Sequence, residues 1–256
     1  MNGQNNYVFI TGATSGIGEA CATLFHQKGY ALILTGRRKD RLIKLKDKLQ
    51  ETNSSAIEIL EFDVRNSDET AKVIQSLTDE VKNNISILIN NAGLAVGKGP
   101  IDEGVLDDWN RMIDTNIKGV LHVTKEVVPF FKNKKSGHII NLSSIAGKEV
   151  YPGGNVYCAT KHAVDALSKA MRIDLLPYAI KVTNIAPGAV DTEFSEVRFK
   201  GDLKMATKTY EGFSPLVAMD VAESIFFTAT RPAHVTINDL TIMPTAQGSS
   251  QNLFKL

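Results

Sequence analysis

The chain has 256 residues, 43% of them hydrophobic and 22% charged, which is enough for one large α/β domain with a sizeable core. A formal net charge of +1 carries no basic excess, and this argues against nucleic acid or an anionic membrane as a partner. No apolar run reaches the length of a membrane span, and two cysteines, Cys21 and Cys158, are too few for a disulfide framework or a metal cluster.

Tyr7–Ile10 reads as a first strand, starting too early to leave room for a signal peptide, so a cytoplasmic protein with reduced thiols is expected. Gly16–Lys28 follows as a helix, Ala31–Thr35 as a strand and Asp40–Gln50 as a charged helix. Ile57–Phe62 reads as a strand, Ser67–Val81 as a helix and Ile85–Asn90 as a strand. A long helical stretch spans Leu106 to Phe131, with a break expected near Thr115–Gly119. His138–Leu142 is a strand, and a helix opens at Tyr157 and runs through Leu175. Ile180–Ile185 is a strand, Asp220–Thr230 a helix and Asp239–Met243 a last strand. Strand–helix alternation predicts a parallel sheet covered on both faces, in one domain spanning 1–256.

The segment 191–216 breaks the alternation. It is polar, holds Gly201, Gly212 and Pro215, and follows the sixth strand. Ligands of doubly wound sheets bind beyond the carboxyl ends of the strands, so the segment reads as a substrate lid, with a plain surface loop or an oligomer contact as the alternative.

After the first strand comes Thr11-Gly12-Ala13-Thr14-Ser15-Gly16-Ile17-Gly18. Glycines there let the backbone turn tightly against a pyrophosphate, and the next helix aims its N-terminal amides at the anion. The second strand ends in Gly36-Arg37-Arg38 where an acidic residue would bind the ribose hydroxyls of NAD. Arginine pairs bidentately with a 2′-phosphate, so the cofactor read here is NADP; the alternative is that both arginines merely open the next helix. Asp63 and Val64 end the third strand, with Asp63 placed to accept from the adenine amino group or to start a helix. Asn91, Ala92 and Gly93 end the fourth, small and polar where a cofactor must pass close. Pro187, Gly188, Val190 and Thr192 follow the sixth, where backbone and hydroxyl face the nicotinamide amide.

Tyr157 and Lys161 are four apart on a helix and so share a face. A nearby cation favours the phenolate, and a tyrosine drawn toward neutral pH can exchange a proton with an alcohol or carbonyl. Taken alone, Tyr-x-x-x-Lys is commonly a solvated pair.

In register, TGATSGIG at 11–18, NNAG at 90–93, Asn116, NLSS at 141–144, Tyr157-x-x-x-Lys161 and Pro187-Gly188 resemble the short-chain dehydrogenase/reductase family over nearly the whole chain. The resemblance implies a Rossmann-type, doubly wound, seven-stranded parallel sheet of order 3-2-1-4-5-6-7. It also implies a catalytic set of Asn116, Ser144, Tyr157 and Lys161. In that set Ser144 orients the substrate oxygen. Tyr157 exchanges the proton, Lys161 lowers its pKa and holds the nicotinamide ribose, and Asn116 holds a water linking Lys161 to solvent. Ser143 is left as a packing residue. No metal is expected, since the five histidines show no ligand spacing.

The segments 151–164, 193–202 and 231–247 are similar to one subgroup, the NADP-dependent 3-hydroxy acid dehydrogenases acting on serine, L-allo-threonine or 3-hydroxypropionate, which are commonly homotetramers. Such a substrate requires a carboxylate clamp. Arg198 is the first candidate by chemistry and Lys200 the second, with a surface ion pair or subunit contact as the alternative. Lys148 and Glu149 are expected near the site entrance. A reductase of bulkier carbonyls, such as 3-oxoacyl groups, sugars or steroids, and a nucleotide-sensing regulator without turnover are the competing readings.

Overall fold

The computed structural model describes residues 6–255. Strands β1 (Tyr7–Ile10), β2 (Ala31–Gly36), β3 (Ile57–Glu61), β4 (Ile85–Asn90), β5 (Gly137–Leu142) and β6 (Ile180–Pro187) alternate with helices. The helices of this part are α1 (Gly16–Gln27), α2 (Lys39–Gln50), α3 (Ser67–Gln75), α4 (Asp79–Asn84), α5 (Leu106–Ile113), α6 (Gly119–Lys134) and α7 (Asn155–Asp174). A short parallel pair, β7 (Val190–Asp191) and β8 (Leu216–Val217), brackets α8 (Phe194–Arg198) and α9 (Leu203–Lys208). Helix α10 (Ala218–Ala229) and strand β9 (Asp239–Ile242) complete the chain. The main sheet has seven strands in the order β3-β2-β1-β4-β5-β6-β9, all parallel, as expected.

Side chains of a strand alternate between faces, and both faces of this sheet are covered. Val8, Ile10, Leu32, Leu34, Ile87 and Ile89 pack with α1, α2 and α10 residues such as Phe25, Leu42 and Ile225. Phe9, Ile33, Leu88 and Ile139 point the other way and pack with Ile74, Val123, Val127 and Phe131 of α3 and α6. Strand order reverses on either side of β1 and β4, so a crevice opens beyond their carboxyl ends. The Thr11 hydroxyl accepts there from the amides of Asn91 (3.0 Å) and Ala92 (2.9 Å), which fastens the turn after β1 to the one after β4.

Two elements differ from expectation. The single helix expected over 67–81 is two, because Thr78 caps a fresh start by accepting from the Val81 amide at 3.3 Å. The break expected near Thr115–Gly119 is not a gap but a π turn over Asp114–Lys118, continuous with the helices on either side. The segment 191–216 carries secondary structure of its own, α8 and α9.

Candidate active site

A cleft of about 680 Å³ runs across the carboxyl ends of the strands. At one end lies the glycine-rich turn. Gly12 and Gly16 have φ of +65° and +55°, the left-handed region that suits glycine. A Cβ on Gly18 would sit 2.3 Å from the Gly12 carbonyl oxygen and 2.5 Å from Asn91 Nδ2, so no side chain fits there. Ser15 takes the N-cap position of α1, yet its hydroxyl caps none of the first-turn amides. It accepts instead from Arg38 Nη2 at 3.2 Å. Those amides remain free of side-chain partners, as an anion at the helix N-terminus requires.

Arg38 folds over this turn and also donates to Thr14 Oγ1 at 2.8 Å from Nη2. Arg37 leans the other way, 3.7 Å from Asp63 Oδ2. Asp63 accepts from Arg65 at 2.6 Å. Burial pushes the Asp63 carboxyl up, but the hydrogen bonds and charge of Arg65, with Arg37 behind, outweigh it and hold the group below the usual carboxylate range. Gly12, Thr14, Ser15, Gly16, Ile17, Arg37, Arg38, Asp63, Val64, Asn91, Ala92, Gly93, Pro187, Gly188, Val190 and Thr192 all line the cleft. Ala13 and Gly18 do not line it; Ala13 is buried beneath the turn, and Gly18 is buried against the Gly12 carbonyl. Thr192 lies against the turn, within 3.4 Å of where a Gly16 Cβ would be.

At the other end of the cleft stand Ser144, Tyr157 and Lys161. Ser144 caps a short 3-10 turn by accepting from the Ala146 amide at 3.1 Å. Ser143 donates to the Lys161 carbonyl at 2.9 Å and so ties α7 to the segment after β5. Tyr157 and Lys161 are both buried, and Lys161 Nζ lies 5.9 Å from the Tyr157 ring centre while donating to the Leu142 carbonyl at 2.8 Å.

Burial governs the electrostatics of this pair. Burial pushes the Tyr157 hydroxyl above its ordinary pKa, and the neighbouring Tyr151 adds to this; the Ser144 hydroxyl and the charge of Arg198 oppose it without prevailing. The same enclosure pulls Lys161 down to about 8. In the protein alone, desolvation disfavours the charged form of both groups.

Asn116 is buried and does not line the cleft. Its side chain is spent: Nδ2 donates to the Leu94 carbonyl (2.8 Å) and to Thr160 Oγ1 (3.0 Å), while Oδ1 accepts from the Leu94 amide (2.8 Å). It therefore locks the segment after β4 to α7, directly beside Gly93, where a Cβ would meet Lys161 Nζ at 3.4 Å.

Over the cleft lies α8. Phe194 packs on Tyr157 with ring centres 5.8 Å apart. Arg198 places its guanidinium carbon 5.6 Å from the Tyr157 ring and 5.4 Å from the Tyr151 ring. Its Nη2 donates to the Tyr151 hydroxyl at 2.9 Å, and its buried Nε has no partner. Lys200, the second clamp candidate, is turned away to Asp108 at 2.7 Å and does not line this cleft. Lys148 and Glu149 do not line it either. Lys148 bridges Asp165 and Asp239 at 2.5 Å each, and Glu149 accepts from the Ser250 amide at 2.8 Å. The charge of Lys148 is met by the Asp165 and Asp239 carboxylates.

The sequence reading missed Tyr151, Phe194, Arg41 and Glu193. Glu193 accepts from Arg41 at 2.9 Å and lies 3.5 Å from Arg38. An acid near the start of the segment 191–216 and a base one helical turn past Arg37-Arg38 were the only local signals.

A dinucleotide-sized crevice that ends on a half-buried serine and a buried tyrosine and lysine agrees with comparison to known proteins. The family model described as short chain dehydrogenase matches residues 6–202. The chain belongs to the short chain dehydrogenase family. The dehydrogenase is 46% identical over 241 residues to an NADP-dependent 3-hydroxy acid dehydrogenase of Escherichia coli, covering 94% of this chain and 95% of the relative. It is 44% identical over 251 residues to sulfoacetaldehyde reductase 2 of Chromohalobacter salexigens, covering 96% of this chain and 97% of the relative. It also resembles the closed form of a serine dehydrogenase complexed with NADP+, with a TM-score of 0.91, 45% identity, and coverage of 98% of this chain and 100% of that one. No helix among the described residues of the dehydrogenase is long and apolar enough to cross a membrane, and none of its described His, Cys, Asp and Glu residues cluster as a metal site.

Proposed function

We propose that the enzyme oxidises the 3-hydroxyl of short 3-hydroxy acids (serine, L-allo-threonine or 3-hydroxypropionate), or reduces the matching 3-oxo acid or semialdehyde, with NADP as cofactor. The observation that carries the substrate class is Arg198. Its guanidinium stands over the ring of Tyr157, steadied by Tyr151, with a buried N–H left over. A cation so placed takes the acid group of a molecule whose hydroxyl lies beside the tyrosine. A bulky neutral carbonyl compound has nothing to offer it.

NADP suits the residues present. The uncapped first turn of α1 takes the pyrophosphate, with Gly12 and Gly18 keeping the turn tight over Ala13. Arg38, with Thr14 and Ser15, takes the 2′-phosphate, and Arg37 flanks the adenine beside Asp63 and Val64. Asn91, Ala92 and Gly93 let the ribose pass, and Pro187, Gly188, Val190 and Thr192 face the nicotinamide. When bound, the nicotinamide accepts or returns the hydride.

The chain's own residues do the rest. Arg198 fixes the acid group, and Ser144 donates to the substrate oxygen. Tyr157 takes the alcohol proton in oxidation and returns it in reduction. Lys161, already near a pKa of 8, supplies a cation that ribose hydroxyls bring into the same hydrogen-bonded chain. Asn116 holds the framework behind the site with its side chain. The segment 191–216, carrying Phe194 and Arg198, acts as the lid.

A sulfonate satisfies the same guanidinium and phenol, so sulfoacetaldehyde belongs in the test panel alongside the hydroxy acids. Initial rates with NADP+ and NAD+, and with NADPH for the aldehydes, decide the matter. Turnover confined to anionic substrates and favouring NADP is the expected result. Turnover of a neutral secondary alcohol alone discards the 3-hydroxy acid reading. The same reading carries a cytoplasmic homotetramer, which light scattering in solution tests.

A further inference from the structure

The adenosine end of the cleft already contains a carboxylate. Both oxygens of Glu193 lie 2.9 Å from Arg41 Nη1, and Oε2 lies 3.5 Å from Arg38 Nη1. Arg38 is the arginine whose other nitrogens sit on Thr14 and Ser15. Glu193 is also the residue directly before α8, whose first residue packs on Tyr157 and whose last reaches Tyr151. One rigid helical turn therefore spans the cleft, with an acid on the arginines at its near end and the proposed clamp at its far end.

A 2′-phosphate carries close to two negative charges and seeks the same guanidinium donors. It cannot share Arg38 with Glu193 without placing like charges within a few ångströms, inside the range where screening is incomplete. We infer that Glu193 is a specificity-determining residue: in the cofactor-free protein it occupies the arginine pair as an internal stand-in for the 2′-phosphate, and the phosphate must displace it, freeing the start of α8. This rests on the NADP reading of Arg38. Only a phosphorylated ribose carries out the exchange, so the lid helix senses which of the two dinucleotides has bound.

Calorimetric titration with 2′,5′-ADP and 5′-AMP, fragments that stop short of the lid's substrate end, tests this. Glu193→Gln removes the competing charge and keeps the side-chain length. It should tighten 2′,5′-ADP by about threefold to tenfold, the scale of a partly exposed ion pair plus like-charge repulsion, and leave 5′-AMP within about twofold. Glu193→Ala removes the same charge and should likewise tighten 2′,5′-ADP while leaving 5′-AMP within about twofold. Glu196→Gln, an exposed acid of the same helix, removes equal net charge and should change neither. Weaker binding of 2′,5′-ADP, or an equal gain for both nucleotides, overturns the inference. In the wild-type protein, amide exchange over Phe194–Arg198 should rise on adding 2′,5′-ADP but not 5′-AMP; no rise, or the same rise in Glu193→Gln, overturns the coupling. Arg38→Ala separates the two layers: if it leaves the preference for 2′,5′-ADP intact, the NADP reading itself falls, whatever Glu193 does.

Discussion

Arg198 and Tyr151 form a pair at 2.9 Å that links α8 to the segment preceding α7, and the free Nε of the arginine is buried beside it. Replacing Arg198 by Ala should raise KM for hydroxy acids by about 10- to 100-fold, the worth of a charge-assisted hydrogen bond. A neutral alcohol should be unaffected. Arg198→Lys should recover little, because a lysine has no planar fork to hold both Tyr151 and an acid group. Steady-state kinetics on the two substrate types read this directly, and equal losses on both would remove Arg198 from the clamp.

Tyr157→Phe keeps the ring that packs on Phe194 and deletes only the hydroxyl. Turnover should fall by about 10²- to 10⁴-fold, the usual share of a proton-transfer group. NADP+ affinity, followed by intrinsic fluorescence, should stay within about threefold. A variant retaining a tenth or more of the activity would place the proton transfer elsewhere.

Stability should depend on pH through His138. Burial, with the charge of Lys181 behind it, lowers its pKa from 6.5 to about 3, and Nε2 is 2.7 Å from Thr183 Oγ1. Between those two values the unfolded chain binds a proton that the folded one refuses, so stability declines as pH falls from about 6.5 toward 3. His138→Asn should flatten that part of the profile in urea titrations while costing stability at pH 7. An unchanged slope would show that other groups set it.

Gly18→Ala should lower Tm by about 2–10 °C, since the new methyl has no room beside the Gly12 carbonyl and Asn91. It should also weaken NADP+ binding by more than tenfold. Gly99→Ala, with nothing within 4 Å of the added Cβ, is the control and should match the parent. Thermal melts with and without NADP+ report both effects.

The sheet was legible because each strand is a short β-branched run that needs no partner to be recognised. The turn at Gly12–Gly18 and the Tyr157/Lys161 spacing are local too. Thr78-Asp79-Glu80 was a legible helix start inside the stretch 67–81, and it was overridden by the apolar period around it. Tyr151 with Arg198, and Glu193 with Arg41, are another kind of fact. They join residues 47 and 152 positions apart, and no period or cap announces such a contact. The burial of Tyr157 and Lys161 is a fact of the same kind. Spacing shows that a cation is near, but only the packed structure shows how completely water has left.

The π turn at Asp114–Lys118 makes the site depend on a single count. Such a turn accommodates one residue beyond the α-helical ladder. Deleting one residue there would let the helix relax to ordinary winding and swing everything on one side by about 100° relative to the other. Either α5 would leave Trp109 and Met112 out of their packing, or Asn116 would lose Leu94 and Thr160. Length variation is therefore forbidden here, although Lys118 itself is open to solvent.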